Sequence, residues 1–213
     1  MNANPPRCRV LRHRRPGFQS PTRAGKALRG FTLLELMVVL AIVAILTTLA
    51  IPSFTRLVQS NTMSSNVNTF MADLRYARSE STRRGGGVVM CRSDAPEASP
   101  PVCNTTSGLG GQGWVSGWII YLDANSNGVI DADDLLRIQS PIARMDSIVE
   151  NGGGASSIFR FTATGRLFNA SSATSLRFGG NAYASDVQRV LCVNPGGRAR
   201  IAGNGAASCG ADS

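Results

Sequence analysis

From Phe31 to Ile51 the chain reads FTLLELMVVLAIVAILTTLAI, 21 residues with a single charge, Glu35. At 1.5 Å per residue a helix of that length covers about 31 Å, enough to cross a hydrocarbon core of roughly 30 Å. The run therefore predicts a membrane-spanning helix. Past Pro52 the pattern changes. Leu57, Val58, Met63, Val67, Phe70, Met71, Leu74 and Ala77 recur at helical spacing between Ser53 and Arg84, and Gly85-Gly86-Gly87 stops them. This predicts a second helical half with one buried face, kinked from the first at Pro52.

Beyond residue 87 the period shortens. Val88 to Arg92, Trp114 to Asp123, Leu135 to Gln139, Ile158 to Thr164, Leu176 to Phe178 and Val187 to Val193 read as strands separated by Gly, Ser, Asn and Pro clusters. Ser93 to Gly113 and Ala143 to Ser157 are rich in turn-forming residues and predict exposed loops. The expected class is α+β, a long N-terminal helix packed on antiparallel sheet. Four segments follow: a basic N-terminal segment (1–30), a membrane helix (31–52), its amphipathic continuation (53–86) and a β-rich head (87–213).

Charge changes the picture only after it is located. The 213 residues carry 22 Lys and Arg against 13 Asp and Glu, a net +9 with a pI near 10.3, which taken whole suggests a nucleic-acid binder. Eight of those cations, Arg7, Arg9, Arg12, Arg14, Arg15, Arg23, Lys26 and Arg29, precede Phe31 with no acid among them. The remainder balances to +1. Cations flanking one end of a span place that end in the cytoplasm, so the rest of the chain is expected outside. His13 and Lys26 are the only residues of their types. The chain after residue 30 thus lacks the groups for a Ser-His-Asp triad, a Cys-His dyad, a histidine metal site, a Schiff base or a P-loop, and no enzyme is expected. Asp123, Asp131 and Asp134 form its only carboxylate cluster of note.

A cleaved secretory signal carries an apolar run of 7 to 15 residues, and this one is longer and continues into more helix. A plain anchor leaves Glu35 unexplained, because a carboxylate inside a membrane helix costs about 2.5–3.5 kcal/mol and calls for a partner. Gly30-Phe31-Thr32-Leu33-Leu34-Glu35 resembles the type III leader junction of type IV pilins and pseudopilins. That resemblance implies cleavage by a prepilin peptidase between Gly30 and Phe31 and N-methylation of Phe31. It also implies a role for Glu35 in assembly, meeting the free amine of a neighbouring subunit. The implied partners are other pilins or pseudopilins in a filament, the peptidase and methyltransferase, and the inner membrane.

Of five cysteines, Cys8 lies in the leader, and the other four would be exported to an oxidising compartment that favours disulfides. Three pairings are open to them. Local order favours Cys91 with Cys103 and Cys192 with Cys209.

The plan of the mature chain is similar to the GspH/FimT family, whose members divide between type II secretion pseudopilins and FimT-like minor pilins, some of them linked to DNA uptake. The segment Gly197-Arg198-Ala199-Arg200 resembles the GRxR pattern of the FimT-like members, where it implies contact with DNA. Alternation puts Arg198 and Arg200 on one face about 7 Å apart, with Ala199 and Ile201 on the other. Each guanidinium can fork onto a phosphate, which implies backbone contact with little base selectivity. The same two arginines also suit a solvated sheet edge, where charge blunts aggregation.

One further stretch has two readings. Asp123, Asn125, Asn127, Gly128, Asp131 and Asp134 match positions 1, 3, 5, 6, 9 and 12 of a calcium-binding loop, with aspartate in the last place instead of glutamate. The flanking Trp118 to Leu122 reads as a strand and not a helix, so a hairpin rich in Asx turns fits better than a helix-loop-helix. No other cofactor is expected.

Overall fold

The computed structural model describes residues 30–104, 109–151, 157–205 and 209; the leader through residue 29 lies outside the described residues. Helix α1 runs Leu33–Arg84. Thr32 caps it: its Oγ1 accepts the Glu35 N–H at 3.2 Å and its carbonyl the Leu36 N–H at 3.1 Å. Thr32 and Glu35 have the spacing of a capping box, so Glu35 sits three residues past the cap with its charge at the positive end of the helix dipole. Pro52 lies inside α1, which continues past it, and the Ile51 carbonyl accepts the Thr55 hydroxyl at 3.0 Å.

Two compact units divide between Ile45 and Leu46. In the first, every described side chain is exposed. Helix α1 is the single described helix long and apolar enough to span a membrane.

The second unit is the head. Its strands are β1 (Val88–Arg92), β2 (Trp118–Leu122), β3 (Leu135–Gln139), β4 (Ser147–Asn151), β5 (Ile158–Phe161), β6 (Thr174–Gly179), β7 (Arg189–Val193) and β8 (Ala199–Gly203). They form two antiparallel four-stranded sheets, in the orders β3-β2-β1-β5 and β4-β6-β7-β8. The helical stripe Met63, Val67, Phe70, Met71, Leu74 and Ala77 is buried in the core that both sheets share. Phe70 is its centre, with edge-on ring contacts to Trp118 at 4.9 Å, Trp114 at 5.2 Å and Phe178 at 5.5 Å. Contacts of this kind add about 0.5–1.5 kcal/mol each beyond area burial. At the end of α1, the buried Ser81 hydroxyl reaches the carbonyls of Phe161 at 2.9 Å and Thr162 at 2.8 Å, tying the helix to the hairpin after β5.

The first sheet is covered on both faces. Val89, Cys91, Ile119, Tyr121 and Ile130 form a second, smaller core on the side away from α1. That is why β1 is an unbroken apolar run and not an alternating one. Cys91 and Cys103 are bonded, at a separation of 12 residues, and hold the loop after β1 over this face. Cys192 and Cys209 are bonded at a separation of 17. Loops of these sizes give about 3 kcal/mol each in the chain-entropy picture.

One expectation needs correcting. The Ala143 to Ser157 stretch is not a continuous loop: β4 lies within it, pairs along β6 and puts Ile148 at zero exposure. Flanking polar residues and glycines hide a strand whose stability comes from its partners and not from its own pattern. Strand β4 also carries Glu150, which accepts from the buried Arg92 at 3.2 Å and from the Trp114 indole at 2.7 Å, joining the two sheets. At β8, Ala199 packs on the core and Ile201 is 44% exposed. It pairs with fully buried Leu191 across a register shift, and β8 is an outermost strand, so Ile201 lies at the margin of the core.

Candidate functional site

The turn carrying the GRxR residues is a three-residue hairpin between β7 and β8. Gly197 N–H donates to the Asn194 carbonyl at 2.8 Å, and Asn194 N–H donates to the Arg198 carbonyl at 2.9 Å. The side chain of Asn194 then accepts the Arg198 N–H at 2.9 Å. Gly197 has φ 72°, the left-handed conformation that closes such a turn without strain only for glycine. A β-carbon there would also stand 2.2 Å from the Gly165 carbonyl oxygen. The motif's glycine is thus required by the fold, whatever its arginines do.

Arg198 and Arg200 are both exposed. Arg198 lines an open groove together with Arg78, Thr164, Arg166, Asn194 and Gly196. Arg200 is not among those residues; it lies on β8 across from Cys192. Arg78 on α1 and Arg166 after β5 were not singled out by the sequence reading. The signal for Arg166 was present, since Thr162-Ala163-Thr164-Gly165-Arg166 ends in the same Gly-Arg pair as Asn194 to Arg198. Arg78 is one of several arginines near the end of α1 and carries no local mark.

At the other end of the described chain, Gly30 and Phe31 are exposed. Glu35 follows in the first turn of α1.

The Asp123 loop uses its oxygens internally. Asp123 is 2% exposed, and its carboxylate accepts the Gly128 N–H at 3.2 Å and the Arg160 guanidinium at 2.9 Å. Asn125 accepts the Asn127 N–H at 3.1 Å and Asn127 the Val129 N–H at 2.8 Å. Asp131 is exposed and precedes the short 3-10 turn Ala132–Asp134. Among the described residues no three His, Cys, Asp or Glu side chains come together as a metal-holding group. In this arrangement the side-chain oxygens of Asp123, Asn125 and Asn127 serve the hairpin's own N–H groups and the Arg160 guanidinium, whereas a calcium ion takes six to eight oxygens.

Elsewhere in the head a buried polar centre is structural. Asp73 on α1 is 2% exposed and receives the Trp118 indole N–H at 2.8 Å and Arg137 at 2.7 Å. Burial raises its carboxyl above the ordinary value, while Trp118 and Arg137 pull it back. On the surface of α1, hydrogen bonds from Arg83 and Arg84 hold Glu80 down at about 2.

Comparison with known proteins adds the following. The family model described as "Type II transport protein GspH" matches residues 66–197, and that described as "Prokaryotic N-terminal methylation motif" matches residues 26–51. No curated protein matches the chain. Among solved structures, the type IV minor pilin FimU of Pseudomonas aeruginosa is similar in two crystal forms. The P21 form is 22% identical, covers 66% of this chain and 88% of that one, and gives a TM-score of 0.49. The P65 form is 22% identical, covers 65% and 90%, and gives 0.46.

Proposed function

The chain belongs to the GspH family, a minor pilin or pseudopilin whose N-terminal helix anchors a structural subunit, and from that premise we propose that it serves a type IV pilus and contacts DNA during uptake. As a precursor it is cleaved between Gly30 and Phe31, and the new terminus is methylated at Phe31. Its helix crosses the inner membrane with the N-terminus cytoplasmic and the head periplasmic, and Glu35 meets the amine of the next subunit in the filament. Cleavage leaves a side-chain charge of +1, so contact with DNA falls to local arginines.

The observation that carries the DNA reading is the position of Arg198: exposed, on an edge hairpin, in a groove with two more arginines and no carboxylate among its lining residues. Phosphates are recognised by such forks without regard to sequence. An Arg198→Gln/Arg200→Gln variant of the processed chain is expected to retard duplex DNA less than the parent at matched salt; equal retardation would refute the reading. A second reading, a pseudopilin of type II secretion, is favoured by the description of the matching family model. Deleting the gene separates the two, through DNA uptake on one side and exoprotein secretion on the other.

A further inference from the structure

We propose that Arg78 and Arg166 are contact residues equal in rank to Arg198, and that the groove between two matched Gly-Arg hairpins is a track for the phosphates of a DNA duplex. This rests on the DNA-contact reading and names residues that the GRxR pattern does not contain. The hairpin Thr162 to Arg166 is built as the Asn194 to Arg198 hairpin is. Gly165 has φ 73° against 72° for Gly197. The glycine N–H donates to the carbonyl of the first residue at 2.8 Å in both, and the first N–H to the arginine carbonyl at 2.8 and 2.9 Å. In each, the side-chain oxygen of the first residue accepts the arginine N–H, Thr162 Oγ1 at 3.2 Å and Asn194 Oδ1 at 2.9 Å.

The two turns and the helix are also seated on one another. The Gly165 carbonyl meets the Gly197 α-carbon, and the stem and Nε of Arg78 lie where a β-carbon on Gly165 would stand, 3.1 and 2.9 Å away. Leu167 N–H donates to the Pro195 carbonyl at 2.9 Å. Three guanidiniums from three separate segments are thereby presented along one groove. Arg83, Arg84, Arg92, Arg137 and Arg160 each hold a carboxylate, whereas Arg78, Arg166 and Arg198, like Arg56, Arg75, Arg144, Arg177 and Arg189, form no salt bridge among the described residues; what distinguishes the three is that they line one groove.

An open groove leaves a single small anion hydrated, but a chain of phosphates satisfies several forks at once and releases counterions at each. None of the lining residues is aromatic, so there is no platform for unstacked bases, and the occupant is the backbone of a duplex and not a single strand.

The test uses the processed chain, residues 31–213, in a neutral detergent, with a labelled mixed-sequence duplex titrated over a salt series. Arg166→Gln and Arg78→Gln are each expected to flatten the slope of log affinity against log salt by about 0.9 and to weaken binding alike on every sequence. Arg166→Lys and Arg78→Lys should keep the slope. Arg166 is exposed, so its variant carries the test even if Arg78→Gln unfolds. The inference is overturned if Arg166→Gln keeps the parent's slope while Arg198→Gln/Arg200→Gln loses affinity, and also if single strands bind more tightly than the duplex. A parent that binds no duplex would instead remove the DNA-contact reading itself.

Discussion

The carbonyl oxygen of Gly165 lies where a β-carbon on Gly197 would have to stand, 2.2 Å from it, so the two arginine-bearing hairpins touch backbone to backbone. Gly197→Ala would add a left-handed non-glycine residue, at about 1–3 kcal/mol, to a contact that neither backbone can relieve cheaply. Stability should fall by about 2 kcal/mol or more in urea denaturation, and DNA affinity should fall with it as Arg198 moves. A variant as stable as the parent would show that the hairpins are not held together as described.

The link between the sheets makes a second prediction. Glu150 neutralises Arg92, which is 2% exposed, and accepts the Trp114 N–H. Glu150→Ala strands a buried cation and should cost about 3–5 kcal/mol, measured by the same denaturation. Replacing Glu80, on the surface, should cost far less.

How far these features could be read from the chain differs by element. The apolar run to Ile51, the stripe from Met63 to Ala77 and strands such as Val88 to Arg92 declare themselves, because each repeats one period over enough residues. Strand β4 does not, since its five residues gain their stability from β6 and from the burial of Ile148. The groove is legible only in part. Arg198 stands in a recognisable motif, but its relation to Arg78 is a tertiary contact spanning 120 positions, made through two glycines whose role emerges only when their neighbours are known.

Stability against pH should carry two opposite signatures. Asp73 has a raised carboxyl in the fold, so its contribution is complete below the ordinary aspartate value, roughly pH 4, and is lost as pH rises through the higher folded value. Asp73→Asn removes this dependence, and the variant should gain on the parent as pH rises from about 3 to neutrality. Glu80, held at about 2, acts the other way: its contribution is present above the ordinary glutamate value and lost as pH falls toward 2. Chemical denaturation across that range in the parent, Asp73→Asn and Glu80→Gln resolves both. Parallel curves for parent and Asp73→Asn would contradict the burial argument.

The Asp123 hairpin yields a thermal test. The side-chain oxygens of Asp123, Asn125 and Asn127 are engaged by backbone N–H groups and Arg160, so the melting temperature should be the same in millimolar calcium and in chelator. A rise with calcium would mean that the loop rearranges to free those oxygens.

The central claim, a filament subunit that touches DNA through local arginines, is tested most directly in a strain carrying Arg198→Gln/Arg200→Gln at the native locus. The account predicts normal processing, normal incorporation into the filament and unchanged protein secretion, with a fall in DNA uptake. Uptake at the parental level together with a loss of secretion would contradict it and establish the secretion pseudopilin instead.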